Sequence, residues 1–282
     1  MAPWTLVSPA SRGIGFHLTR HLLRNTTLPV VATARKDVEG VRRSMLEGLK
    51  DVDQERLKVL SLDVTGTSPQ TASRLETDWQ RIDESTISKA AEETKQLFPL
   101  DKNHLHLAFC IPGILHPEKS PAQLEHEQLT HAFAVNTIGP MLMFKHFSNF
   151  LPKKSTDMSL PASRITLPEQ AVWLNMAARV GSTTDNKLGG WYSYRASKAA
   201  VNSVTKGEDI FVRQRSGDNA MVMSYHPGTV KTGLSREFWG GVPEEKLFTP
   251  EFAVEKMVGV VGSVGLQGRG KCWDWMLEEV LP

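Results

Sequence analysis

The chain is 282 residues long and 40% hydrophobic, with 33 basic against 31 acidic residues and a formal net charge of +2. That is enough apolar material for one good core, and the charge is too balanced to mark a nucleic-acid or anionic-membrane surface. The two cysteines, Cys110 and Cys272, make neither a disulfide framework nor a zinc site. No stretch approaches the roughly 18 apolar residues of a membrane-spanning helix. Nine histidines are scattered without an HExxH; His126 and His131 read as surface residues. The first residues lack the basic region and apolar run of a secretory leader, so a cytoplasmic protein acting on a small molecule is expected, with no nucleic acid and no membrane as partner.

Short β-rich runs alternate with longer helical periods along the chain. Trp4–Ser8 reads as a first buried strand. Gly13–Asn25 follows as an amphipathic helix, with Ile14, Leu18, Leu22 and Leu23 on one side. Pro29–Thr33 is a second strand, Lys36–Lys50 a helix, and Leu57–Leu62 a third strand ending at Asp63. Leu105–Cys110 is a fourth strand. Gln123–Leu151 reads as a long helix with a bend at Gly139-Pro140. Ala171–Met176 is a fifth strand, Tyr192–Arg215 a long helix, and Ala220–Tyr225 a sixth strand. Pro250–Gly262 is a late helix and Gly270–Trp275 a seventh strand. Segments 66–82 and 153–169 are polar and read as surface insertions. The alternation implies a single α/β domain over residues 1–282: a Rossmann-type, doubly wound parallel sheet of about seven strands with helices on both faces.

The first strand runs into Ser8-Pro9-Ala10-Ser11-Arg12-Gly13-Ile14-Gly15 and then a helix. Small residues there let the backbone approach a pyrophosphate, and a helix N-terminus offers free N–H groups and a positive dipole end. Two glycines also simply permit a tight turn; the position directly after the first strand favours a dinucleotide. Arg35 follows the second strand, where the ribose is read. An acidic side chain there would take the 2′-OH of NAD, whereas an arginine suits the 2′-phosphate of NADP(H). Arg12 adds a second cation, although either arginine can also be a plain solvated one. Asp63 and Val64 are placed for the adenine.

In Tyr192-Ser193-Tyr194-Arg195-Ala196-Ser197-Lys198, Tyr194 and Lys198 lie at i and i+4, on one helix face. A tyrosine ionises at about 10, too high for easy base catalysis at neutral pH. A neighbouring ammonium is expected to favour the phenolate. Such a pair can pass a proton to or from a carbonyl oxygen while hydride moves to or from a nicotinamide. A YxxxK spacing alone is common; its place after the fifth strand of a nucleotide-type sheet gives it weight.

The glycine loop resembles the TGxxxGxG of the short-chain dehydrogenases/reductases, with Ser8 for Thr and Pro9 for the first Gly. YRASKAAVN is similar to that family's active-site helix. AVNTIGP around Asn136 and HPGTVKT around Pro227-Gly228 extend the resemblance over nearly the whole chain. ARVGSTTDNKLGGWYSYRASKAA is closest to sniffer/C-factor-like carbonyl reductases. The resemblance implies that Asn136 holds the active-site helix and a water chain to the lysine. It also implies that the nicotinamide carboxamide meets Val230 and Thr232, beyond Pro227 and Gly228. Where the family carries a substrate-binding serine after the fifth strand, this chain has Ala177-Ala178. Ser182, twelve residues before Tyr194, is expected to supply that hydroxyl; the plain alternative is a loop serine. Cys110-Ile111-Pro112-Gly113 stands where NNAG is common, and only Gly113 matches. Pro9 and Ala177-Ala178 leave open a non-catalytic NADP(H)-binding redox or interaction protein; Tyr194, Lys198 and Asn136 favour a carbonyl reductase. An epimerase or dehydratase usually needs a larger C-terminal domain. The substrate lid is expected at 232–248, by position and Gly240-Gly241. Trp191, Phe238, Trp239 and Trp273 are candidates for an apolar pocket wall. The long helices could pair across a two-fold axis as a homo-oligomer.

Overall fold

The computed structural model describes residues 1–65 and 84–282, so the expected insertion at 66–82 lies outside the described residues. In chain order the elements are β1 (Ala2–Ser8), α1 (Gly13–Asn25), β2 (Val30–Ala34), α2 (Val38–Leu46), β3 (Leu57–Ser61), α3 (Glu84–Leu97) and β4 (Asn103–Cys110). There follow α4 (His126–Phe133), α5 (Gly139–Phe147), β5 (Ala171–Met176), α6 (Tyr192–Ser216) and β6 (Ala220–His226). The chain closes with β7 (Thr229–Val230), β8 (Leu247–Phe248), α7 (Pro250–Ser263), β9 (Cys272–Asp274) and β10 (Glu279–Val280).

The main sheet has eight strands in the order β10-β9-β6-β5-β4-β1-β2-β3. All neighbours pair in parallel except the terminal β9–β10 hairpin. The expected seventh strand is therefore β9, and β10 adds an antiparallel edge. Strand residues alternate between two cores, as a sheet covered on both faces requires. Val7, Ala32, Leu107 and Leu174 pack toward Leu18 and Leu22 of α1 and Met257 of α7. Trp4, Leu6, Val31 and Trp173 pack toward Ile87 of α3, Met143 and Phe147 of α5 and Val212 of α6. The strand order reverses direction between β1 and β4, so the carboxyl ends of these two strands open the crevice where such sheets hold ligands.

The expected single helix over 123–151 is three pieces. α4 ends at Phe133, a π turn spans Ala134–Ile138, and α5 begins at Gly139. Pro140 has no N–H to continue the ordinary ladder, and Gly139 N–H reaches back to Ala134 O instead. The irregularity expected at Gly139-Pro140 thus appears one turn earlier. It places Asn136 in the wide turn, a geometry that recurs at functional sites. A methyl group on Gly139 would sit 3.0 Å from Val64 Cβ, so this helix and the end of β3 meet closely. Segment 153–169 forms no regular element and folds back on α1: Arg164 N–H and Ser163 Oγ both donate to Asn25 O.

Candidate active site

The loop from β1 to α1 is tight because β1 is locked on both sides. Ala10 N–H bonds Thr33 O at 2.8 Å, Thr33 Oγ1 donates to Ser8 Oγ at 2.7 Å, and Ile111 N–H bonds Ser8 O at 2.7 Å. Gly13 has φ +58°, and a Cβ on Gly15 would fall 2.0 Å from Pro9 O. Only glycine allows this approach of helix to loop. Arg12 holds the N-cap position without a side-chain cap, so the first-turn N–H groups of α1 carry no side-chain acceptor from it. Ser8 is buried, while Ser11 and Arg12 are exposed.

Along one edge of the crevice, Arg35 donates to Thr65 Oγ1 at 3.2 Å. Asp63 Oδ1 accepts the N–H and hydroxyl of Thr65 at 2.7 and 2.5 Å, and Thr86 Oγ1 brackets the Asp63 backbone. Asp63 is thus held in a local turn, with Val64 buried beside Gly139.

At the centre, Tyr194 and Lys198 lie on the buried side of α6. Lys198 Nζ donates to Met176 O, at the end of β5, at 2.6 Å, and lies 5.9 Å from the Tyr194 ring centroid. Burial drives the two groups in opposite directions: it pushes the Tyr194 hydroxyl up to about 12 and the Lys198 ammonium down to about 8. The expected lowering of Tyr194 by Lys198 does not prevail in this arrangement. Desolvation outweighs a cation that is itself engaged by a carbonyl.

Asn136 is fully buried and holds two elements at once. Its Oδ1 accepts Ile114 N–H at 2.8 Å, and its Nδ2 donates to Ile114 O at 2.9 Å and to Ser197 Oγ at 3.0 Å. The segment after β4 is thereby pinned to α6, and a Cβ on Gly113 would meet Lys198 Nζ at 3.9 Å and Leu234 Cδ2 at 4.0 Å. Gly228, at φ +74°, turns Pro227 into β7, where any Cβ would strike the Phe248 ring at 2.5 Å. Val230 pairs with Phe248, and Thr232 packs against Gly13. The glycine loop, Thr232, Leu234, Gly113, Lys198 and Asn136 therefore form one connected group at the carboxyl edge.

Ser182 is buried, and its Oγ accepts Asp185 N–H at 3.0 Å, leaving its own hydroxyl proton free to donate. Ala177 and Ala178 are buried and bring no hydroxyl. Of the expected aromatic wall, Trp191 lies 6.3 Å from the Tyr194 ring and 4.8 Å from Phe238. Trp239 Nε1 donates to Ser235 Oγ. Trp273 is elsewhere: it sits on β9, packs against the sheet core and donates to Gly268 O. Met176 O, Ile114, Ser197 and Leu234 were not foreseen. The first two act through backbone groups, which carry no residue-type signal.

No protein-family profile matches the chain. Over 167 residues, 59% of this chain, it is 29% identical to the 1-hydroxy-2-glutathionyl-2-methyl-3-butene dehydrogenase of Rhodococcus sp. (strain AD45), and the match spans 64% of that enzyme's length. The structure superposes on an NADPH-bound carbonyl reductase from chicken fatty liver with a TM-score of 0.77, at 23% identity, covering 100% of this chain and 99% of that one. It matches the carbonyl reductase Sniffer of D. melanogaster with the same TM-score of 0.77, at 19% identity and 100% coverage of both chains. Over more than half of its length the chain is thus similar in sequence to a dehydrogenase, and over all of it the fold is that of the Sniffer-type carbonyl reductases and of a short-chain dehydrogenase/reductase from Burkholderia multivorans with bound NADP.

Proposed function

We propose that this chain is an NADP(H)-dependent oxidoreductase that interconverts a carbonyl and an alcohol, with Tyr194 as its proton donor and acceptor. The carrying observation is the buried Tyr194–Lys198 pair, with Gly113 beside Lys198 and Leu234, and Thr232 of the same segment as Leu234 packed on Gly13 of the loop that opens α1. The residues fit a dinucleotide: the cradle between Gly15 and Pro9 is one that any Cβ would fill, and the start of α1 is uncapped. A neighbour of the same fold binds NADPH. When bound, the nicotinamide supplies hydride transfer.

The chain's own residues do the rest. Gly13, Ile14 and Gly15 bring backbone N–H groups to the phosphates, with Ser8 and Ser11 flanking. Arg35 and Arg12 receive the 2′-phosphate, and Asp63 and Val64 border the adenine. Gly113 shapes the floor, and Pro227, Gly228, Val230 and Thr232 turn the chain past the carboxamide. Tyr194 gives its proton to the substrate oxygen in reduction and takes it back in oxidation. Lys198, held on Met176 O, keeps its ammonium 5.9 Å from the Tyr194 ring centroid, where it favours the phenolate against the burial that opposes it. Asn136 fixes α6 against the segment after β4. Ser182 donates its free hydroxyl hydrogen toward the substrate carbonyl in place of the family serine. Segment 232–248 forms the lid, with Leu234 and Phe238 on its inner side. NADPH oxidation with a panel of aldehydes and ketones tests the reading: turnover of at least one supports it, and NADPH binding without turnover of any overturns it.

A further inference from the structure

The first turn of α6 carries Tyr194 and lacks the usual means of starting a helix. Its N-cap is Trp191, which makes no side-chain cap, and the turn contains no acidic residue. Gly189, Gly190 and Trp191 all have positive φ, of +64°, +66° and +49°. For a bulky residue such as Trp191 that conformation is strained and persists only where its surroundings impose it.

Part of that constraint comes from Arg195. It donates to Gly189 O at 3.2 Å, Gly190 O at 3.0 Å and Val180 O at 3.2 Å. Asn186 Oδ1 also accepts the Gly189 N–H at 3.0 Å, and Glu118, in the segment after β4, adds two further contacts. Glu118 O accepts the Trp191 N–H at 2.6 Å, and Glu118 Oε1 accepts the hydroxyl of Ser193, the second residue of the helix. Glu118 is only 4% exposed, Ser193 is fully buried, and Glu118 Oε2 is buried with no hydrogen-bond partner among the described residues. A buried carboxylate with an unsatisfied oxygen calls for a reason. Here the start of α6 otherwise has no side-chain acceptor of its own.

We propose that Glu118 is a positioning residue for the active site: it supplies from another segment the acceptor that fixes the start of α6, and so sets where Tyr194 stands. The same segment meets Lys198 through Gly113 and Asn136 through Ile114. Glu118 is thus the third tie between the strand-β4 loop and the reacting face of α6. It acts through Ser193 and the Trp191 backbone. This inference rests on Tyr194 being the proton donor.

The test uses the full-length chain and the variants Glu118→Ala, Glu118→Gln and Ser193→Ala. The readouts are kcat and KM for a carbonyl that the wild type reduces, NADPH Kd by cofactor fluorescence, and hydrogen exchange of the peptide spanning 189–196. A misplacement of about 1 Å at a reacting group costs on the order of 100-fold. Glu118→Ala should therefore lower kcat by about tenfold to 100-fold while NADPH Kd stays within about twofold. Ser193→Ala should move in the same direction. Glu118→Gln keeps an oxygen that can accept the Ser193 hydroxyl, and should return kcat to within about threefold of wild type. Exchange at 189–196 should rise in the alanine variants and not in Glu118→Gln. Unchanged kcat in folded Glu118→Ala, or a Glu118→Gln variant as impaired as Glu118→Ala, overturns the proposal. If the wild type reduces no carbonyl, the reading of Tyr194 falls separately. The exchange data then decide whether Glu118 fixes the helix start: a rise at 189–196 reversed by glutamine supports it, and no rise overturns it.

Discussion

Replacing Gly15 by alanine probes the proposed phosphate-binding loop at its tightest approach. The new Cβ would lie 2.0 Å from Pro9 O, 3.0 Å from Ala10 Cα and 3.1 Å from Pro9 C, all backbone atoms. Comfortable non-bonded contacts begin at about 3.5 Å, so loop and helix must part by roughly 1 to 1.5 Å. The loop cannot yield readily. Ala10 N–H is held by Thr33 O, and the Ser8 carbonyl and hydroxyl are held by Ile111 and Thr33. Over-packing of this kind costs about 1 to 3 kcal/mol of stability. Displacing the α1 N–H groups by about 1 Å from a phosphate costs on the order of 100-fold in a well-set site. At about 1.4 kcal/mol per tenfold, that is roughly 3 kcal/mol. NADPH titration by cofactor fluorescence should show Kd weakened about 30-fold to 100-fold. Gly48→Ala is the control: Gly48 has φ +68° with nothing within 4 Å of a Cβ. That variant should lose about 1 to 2 kcal/mol of stability and leave Kd unchanged. Wild-type NADPH affinity in Gly15→Ala would refute the placement of phosphate on this loop.

Arg35→Glu should reverse cofactor preference, weakening NADPH at least about tenfold while NADH binding holds or improves, as read from the ratio of the two kcat/KM values. Ser182→Ala should lower kcat/KM by about tenfold or more, the cost of removing a donor to the reacting oxygen; an unchanged kcat/KM would assign Ser182 to its turn with Asp185 alone. Acid should destabilise the fold through buried histidines. Burial holds His104, His106 and His226 down to about 4, whereas the unfolded chain takes up these protons at about 6.5. The stability is therefore present above pH 6.5 and lost as pH falls from about 6.5 toward 4. For the fully buried His106 the loss amounts to about 2 kcal/mol by pH 5. Melting temperature measured between pH 7 and pH 5 should fall steadily, and a flat profile would contradict the buried, neutral state of these rings.

The sheet was legible because strands buried on both faces announce themselves as apolar runs, and β1, β2, β4, β5 and β6 lie within two residues of their expected bounds. The helix around Asn136 was harder to read. Its residues are helical in period, and the π turn depends on Pro140 lacking an N–H and on the tertiary pull of Ile114 and Ser197, which no local window contains. The i, i+4 spacing of Tyr194 and Lys198 gave their shared face correctly, but the direction of the Tyr194 shift depended on burial, a property of the folded neighbourhood. Glu118 lay in a polar run with no motif around it. Its meaning appears only once the turn at 189–191 is seen to need an acceptor from elsewhere.

In the proposed reaction Tyr194 moves the proton of an NADPH-linked carbonyl reduction. Single-turnover NADPH oxidation by wild type and Tyr194→Phe, with a carbonyl drawn from the panel, tests it most directly. The variant retains the buried ring against Trp191 and removes only the hydroxyl. NADPH Kd should stay within about twofold while the oxidation rate falls by about 100-fold to 10,000-fold, the range general-acid catalysis provides. A variant that binds NADPH normally and still reduces the carbonyl at the wild-type rate would remove Tyr194 from the role of proton donor.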